Sequence, residues 1–207
     1  TEVIVACGGY DDRFSNVANL AECLYGDIKN SWKKIPDMNE KRGDTIAVGI
    51  NDTIFVIGGF NGVALSSVES YKMGDSEWKI KKPMKIGRSG HAATVGEING
   101  QKYIYVFGGG FPGSLSSVER YNVKTDQWED VKPMRKGRGG HSAVTVGNEI
   151  YILGGAFSDT GYTDDCEKYS IVQNTYQDIP PLKMRRGYFG AVYKEGKIYV
   201  AGGSNEY

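Results

Sequence analysis

Five short apolar runs punctuate the chain: VIVAC at 3–7, TIFVI at 53–57, YIYVF at 103–107, IYIL at 150–153 and IYVA at 198–201. Each ends on a glycine pair. Short β-branched and aromatic runs closed by glycine read as strands buried on both faces. The glycines suit a strand end where φ turns positive or another backbone comes close. After the central pairs come SSVESY and SSVERY, then a polar turn, then a tryptophan-led segment ending at Pro83 or Pro133. That pattern predicts a hairpin whose Tyr and Trp pack between neighbouring sheets. A fourth strand, HAATVG or HSAVTVG, follows and leads by a short turn into the next apolar run. No stretch carries a helical period.

The pattern is a repeat. The glycine pairs begin at 8, 58, 108, 154 and 202, and include Gly58, Gly59, Gly108, Gly109, Gly154 and Gly155. Tyr25, Tyr71, Tyr121 and Tyr169 are followed seven residues later by Trp32, Trp78, Trp128 and Tyr176. Ten residues beyond each of those stand Arg42, Arg88, Arg138 and Arg186, each four residues after Met38, Met84, Met134 or Leu182. Four strands per unit and a period near 50 residues describe the blades of a β-propeller.

The glycine pair, Glu-x-Tyr, Trp seven residues on, then Pro-Met and Arg resemble the kelch motif. The resemblance covers essentially the whole chain and is fullest in the units at 58 and 108. The first unit departs at Cys23, aligned with Glu69, Glu119 and Glu167; the fourth departs at Tyr176. Repeat spacing and the opening TEVIVACGG are most similar to the kelch domains of BTB-kelch proteins. The fold expected is therefore an all-β kelch-type propeller of four-stranded antiparallel blades, part of a six-bladed ring. Its repeats are placed at 1–41 (partial), 42–87, 88–137, 138–185 and 186–207 (partial). A strand count of 17 is not a whole number of blades, so the chain reads as part of a longer propeller, and the missing initiator Met points the same way.

Composition narrows the function classes. Lys plus Arg and Asp plus Glu are 25 each, which gives no general reason to expect nucleic acid or an anionic membrane as partner. No run approaches a membrane helix. Three cysteines, Cys7, Cys23 and Cys166, form no CxxC pair and leave one over, which predicts a reducing, cytoplasmic setting. Cys23 and Cys166 are weighed as redox sensors on exposed strands against simple packing.

In an up-and-down blade, the loop after the glycine pair and the loop entering the arginine strand share one end. Loops on a rigid β scaffold are where binding residues sit. The entering loops are locally basic (Lys81, Lys82, Lys85, Arg88; Lys132, Arg135, Lys136, Arg138; Lys183, Arg185, Arg186), either a positive rim that steers a short acidic peptide or solvated loop charge. The candidate partner contacts are the aromatics that follow the glycine pairs, Tyr10, Phe60, Phe111 and Phe157, and residues that differ between units, Asp12, Arg13, Asp44, Asn61, Ser89 and Tyr188, with Phe111 and Phe157 in both groups. Residues recurring in register, Tyr71, Trp78, Tyr121, Trp128, Arg88 and Arg138 with the glycine pairs, are assigned to structure, and Glu69, Glu119 and Glu167 are read as partners of the arginines.

Catalytic chemistry finds little support. His91 and His141 recur at one position of adjacent repeats, as a structural site would, and no metal-ligand spacing or phosphate-binding loop is present. No cofactor is implied. The family resemblance implies a protein-binding module, specifically a substrate receptor acting with a cullin ubiquitin ligase through upstream domains. An actin-binding cytoskeletal scaffold is the alternative, and a kelch-type sugar-processing enzyme a distant third.

Overall fold

The computed structural model describes residues 4–11, 18–19, 22–26, 32–110 and 113–205. The chain forms two compact units, residues 1–89 and 90–207. The described residues of both are strands, turns and loops, with no helix long and apolar enough to cross a membrane.

In the first unit the strands are β1 (Ile4–Cys7), β2 (Tyr10–Asp11), β3 (Ala18–Asn19), β4 (Cys23–Gly26), β5 (Lys33–Ile35), β6 (Ile46–Ile50), β7 (Thr53–Ile57), β8 (Val68–Lys72) and β9 (Lys79–Lys81). They build an antiparallel three-stranded sheet β1-β4-β5 and a four-stranded sheet β6-β7-β8-β9. The second unit contains β10 (Ala92–Ile98), β11 (Gln101–Phe107), β12 (Val118–Asn122), β13 (Gln127–Val131), β14 (Ser142–Val146), β15 (Glu149–Leu153), β16 (Ala156–Phe157), β17 (Gly161–Tyr162), β18 (Cys166–Ser170), β19 (Thr175–Ile179), β20 (Gly190–Lys194) and β21 (Lys197–Ala201). Its sheets are β10-β11-β12-β13, β14-β15-β18-β19 and β20-β21. Two small hairpins, β2-β3 and β16-β17, occupy loops after glycine pairs. These loops are long enough to fold back and pair their own backbone groups, which sequence reading left as loop.

The apolar runs are buried as their composition requires. Val56 and Ile57 in β7, Ile104 to Phe107 in β11, and Ile150 and Ile152 in β15 are fully enclosed. One core joins Cys23, Ile35, Met38, Ile54, Val56, Tyr71 and Trp78 in the first unit. Another joins Tyr105, Phe107, Met134, Ile150, Ile152 and Tyr169 in the second. The tyrosine–tryptophan spacing becomes a cross-strand ring pair, Tyr71–Trp78 at 5.3 Å and Tyr121–Trp128 at 5.0 Å. Tyr169–Tyr176 repeats it at 5.0 Å.

The slot has a polar task as well. The Trp78 Nε1–H donates to the Pro36 carbonyl at 2.7 Å, and the Tyr176 hydroxyl donates to the Lys132 carbonyl at 2.9 Å. Pro36 and Lys132 hold the same repeat position, two residues before Met38 and Met134. Tyr176 therefore keeps the hydrogen bond that the indole makes, and the departure from Trp conserves the chemistry.

The first sheet departs from the repeat in register. Tyr25 faces Lys33, and Gly26 lies against the Trp32 ring. In the third sheet Tyr121 faces Trp128. The slip of one residue is in β4, where Gly26, not Tyr25, holds the position of Tyr71. Trp32 keeps its place opposite, meets no ring there and is 53% exposed, whereas Trp78 pairs with Tyr71 and is 4% exposed.

The same slip corrects the alignment of Cys23. It pairs with Cys7, the residue before the glycine pair, as Val68 pairs with Ile57, Val118 with Phe107 and Cys166 with Leu153. Cys23 thus holds the Val68 position, and Leu24 the Glu69 position. With Cα atoms 4.2 Å apart, Cys7 and Cys23 form a disulfide in place of an apolar cross-strand pair. This overturns the reading of the cysteines as reduced thiols, and with it the cysteine argument for a cytoplasmic setting. Cys23 and Cys166 are buried, not on exposed strands. Burial pushes the Cys166 thiol pKa up, the opposite of a reactive sensor.

Candidate functional site at the glycine-loop end

The recurring arginines build the floor of this end. The Gly9 N–H donates to the Arg42 carbonyl at 3.0 Å, while Arg42 Nη1 donates to the carbonyls of Gly58 (2.6 Å) and Ser67 (3.2 Å). Its Nη2 reaches Glu69 Oε1 at 2.7 Å, and Glu69 also accepts from the backbone N–H of Asn39 (2.7 Å) and of Glu40 (3.1 Å). In the second unit the Gly109 N–H donates to the Arg138 carbonyl at 3.0 Å, and Arg138 Nη1 donates to the Gly154 and Asp165 carbonyls at 2.9 and 2.8 Å. Its Nη2 lies 3.5 Å from Glu167. One residue closes the turn of the preceding sheet with its carbonyl and that of its own sheet with its guanidinium.

Arg42, Arg88 and Arg138 are the largest wholly buried side chains, so they are not exposed to a ligand. The Gly59 N–H donates to the Arg88 carbonyl at 2.8 Å. The glycine pair is needed because both members have positive φ, 57° and 104° at Gly108 and Gly109. A Cβ on Gly108 would stand 2.4 Å from the Arg138 carbonyl oxygen.

The residue two beyond each arginine is left-handed in every case: Asp44 (φ 45°), Gly90 (57°), Gly140 (61°) and Tyr188 (56°). In the second unit these positions are joined by backbone hydrogen bonds. The Gly140 N–H donates to the Gly90 carbonyl and the Tyr188 N–H to the Gly140 carbonyl, both at 2.7 Å. The Tyr188 ring lies across the two glycines: a Cβ on Gly140 would be 3.1 Å from it, and one on Gly90 3.8 Å. Yet Tyr188 is 63% exposed. A bulky aromatic held at positive φ with its ring toward solvent is strained backbone presenting a side chain.

In the first unit Tyr10 is 41% exposed and its hydroxyl donates to Asp44 Oδ2 at 2.9 Å. The Tyr10 ring covers Gly43, where a Cβ would come within 2.3 Å. Phe60 is half-buried and exchanges backbone hydrogen bonds with Gly43. Asn61 is exposed and its amide donates to Glu40 Oε1 at 2.9 Å. Tyr162 repeats the Tyr10 arrangement in the second unit, its ring 2.4 Å from a Cβ on Gly187. Sequence reading missed Tyr162, although a glycine directly after the arginine was the available signal.

Two candidate contacts are corrected. Ser89 is buried. It stands directly after its arginine, where Gly43, Gly139 and Gly187 pair their backbones with Phe60, Ala156 and Ser204. That position serves sheet closure, not the surface. Phe157 is buried beneath two cations, with Lys136 Nζ 4.1 Å and the Arg138 guanidinium 5.0 Å from its ring centre. Asp12, Arg13 and Phe111 lie outside the described residues.

Much of the basic loop charge is compensated within the chain. Lys136 pairs with Asp159 at 3.1 Å and, bonded to it, holds that carboxyl below its ordinary pKa. Arg135 donates to Glu167 at 3.2 Å and to Asp178 at 2.8 Å, and lowers the Asp178 pKa likewise. Lys183 and Arg185, beside Tyr188 in sequence, are exposed. His91 and His141 are buried at the entries to β10 and β14. Among the described residues no group of three or more His, Cys, Asp or Glu is placed to hold a metal ion.

At the opposite, hairpin-turn end of the second unit lies a cleft of about 550 Å³, lined by Glu97, Asn99, Arg120, Asp130, Asn148 and Ile171 among others. Nothing in the residue pattern marks it.

The family model that matches this chain is the Attractin/LZTR1 beta-propeller, over residues 4–207. Human Kelch-like protein 4 is 30% identical over 84 residues, covering 39% of this chain and 12% of that protein. Beta-scruin of Limulus polyphemus is 38% identical over 78 residues, covering 37% and 8%. Kelch repeat and BTB domain-containing protein 2 of Cowpox virus (strain Brighton Red) is 36% identical over 96 residues, covering 45% and 16%. The matched chain spans a sixth or less of each of these relatives.

Proposed function

Because the chain belongs to the Attractin/LZTR1 family of kelch-type β-propellers, we propose that it is a non-catalytic protein-binding module that holds a partner segment at the glycine-loop end of its sheets. The observation that carries this reading is Tyr188, an exposed aromatic at φ 56° laid over Gly90 and Gly140. Rigid aromatics at low conformational cost are preferred binding anchors. Tyr10, Asp44, Phe60 and Asn61 are the corresponding contacts of the first unit. Exposed Lys183 and Arg185 favour an acidic segment at the Tyr188 contact, whereas Lys136 and Arg135 are already matched by carboxylates.

Two finer roles follow from the kelch resemblance: a substrate receptor for a cullin-type ubiquitin ligase, and an actin-binding scaffold. Both belong to reducing compartments, and the Cys7–Cys23 disulfide weighs against them. The test is affinity capture with the wild-type chain and with Tyr188→Ala, each first checked by a cooperative melting curve to be folded at the capture temperature. Partners retained by the wild type and lost by the variant are expected. Identical partner sets would overturn the reading.

A further inference from the structure

Asn51 and Asp52 form the turn from β6 into β7, and Thr53 is the first residue of β7. Asn51 is the one asparagine of eleven followed two residues later by Ser or Thr, and the residue between is not proline. It is exposed, at the first position of the hairpin turn with φ 56°. The turn is polar and solvated: Thr53 Oγ1 bonds Asp52 at 3.3 Å, and Asp52 pairs with Lys72 at 3.3 Å across exposed surface. Because successive strands are antiparallel, this turn lies at the end of the sheet opposite the Gly58–Ser67 connection. A bulky group there leaves the glycine-loop end of the sheet open.

A sequon alone occurs often by chance. The second observation is chemical and independent: the same unit contains the Cys7–Cys23 disulfide, which persists where the medium is oxidising. The compartment that oxidises cysteines is also the one in which Asn-x-Thr acceptors are modified.

We propose that Asn51 is an N-glycosylation acceptor and that this chain matures through an oxidising secretory compartment. The co-reactant is an oligosaccharide carried on a lipid pyrophosphate. Asn51 Nδ2 forms a bond to the anomeric carbon of the sugar. That carbon's bond to the phosphate oxygen breaks, the lipid pyrophosphate leaves with the electron pair, and the amide gives up one proton.

The test uses the natural protein from its own cells. Thiols are alkylated without reductant, the protein is digested, and a peptide N-glycosidase acts in heavy-oxygen water. The expected result is a heavy-oxygen aspartate at position 51, together with Cys7 and Cys23 peptides joined until reduced. In the same cells, Asn51→Gln and Thr53→Ala abolish the glycosidase-sensitive mobility shift, and Thr53→Ser keeps it. An unmodified Asn51 as the sole form overturns the proposal, whatever the state of the cysteines. That outcome leaves the Tyr188 capture experiment untouched, so the two readings fail separately.

Discussion

Tyr188 offers a way to separate what the backbone tolerates from what the ring does. A non-glycine residue in the left-handed region costs about 1–2 kcal/mol, and the equivalent positions Gly90 and Gly140 avoid that cost. The ring offsets part of it. With 63% of the residue exposed, roughly a third of its surface, about 60 Å², is covered, worth about 1.5 kcal/mol. Tyr188→Ala loses the ring and keeps the strained φ; Tyr188→Gly loses the ring and relaxes it. The ring term cancels between the two variants. Glycine's own chain entropy takes back about 0.5–1 kcal/mol, leaving the Gly variant about 1 kcal/mol more stable than the Ala variant. Urea denaturation should show this as a higher midpoint at unchanged slope. On heating, the difference should be about 2–4 °C. Both variants should lose the partner captured by the wild type. An Ala variant as stable as the Gly variant would refute the strain argument, and full binding by either would refute the role given to the ring.

Other parts of the repeat make separate predictions. Tyr176→Phe removes the donor to the Lys132 carbonyl and should cost about 1 kcal/mol, whereas Tyr176→Trp, which restores a donor, should cost less; equal losses in denaturation would contradict the hydrogen-bond account. Arg138→Met removes the side-chain donor to the Gly154 carbonyl, one of two donors to the Asp165 carbonyl and the buried ion-pair partner of Glu167, and should destabilise the second unit by about 3–5 kcal/mol. Cys23→Ala opens a cross-link between residues 16 apart and should cost about 3 kcal/mol, read as early loss of amide protection in the first unit.

The strands, the hairpin ring pairs and the buried arginines were legible because each depends on local spacing that recurs four times. What was not legible depends on contacts between segments. The slip in the first sheet leaves the Tyr25-to-Trp32 spacing intact but puts Gly26, not Tyr25, opposite Trp32. Hence Cys23 aligned with a glutamate although it lies opposite Cys7. Ser89 and Phe157 differ between repeats, which suggested specificity. Their burial is set by what neighbouring loops lay over them, for Phe157 the Lys136 and Arg138 cations. Tyr188 stood out only as a residue that differs between repeats; that it replaces a left-handed glycine, Gly90 or Gly140, shows in its positive φ.

Amide hydrogen exchange of the chain with and without a captured partner tests most directly where binding occurs. Protection at 155–163 and 183–189, with the 97–100 and 171–174 turns unchanged, is the predicted result. Protection confined to those turns, around the cleft between Glu97 and Asn174, would contradict binding at the glycine-loop end.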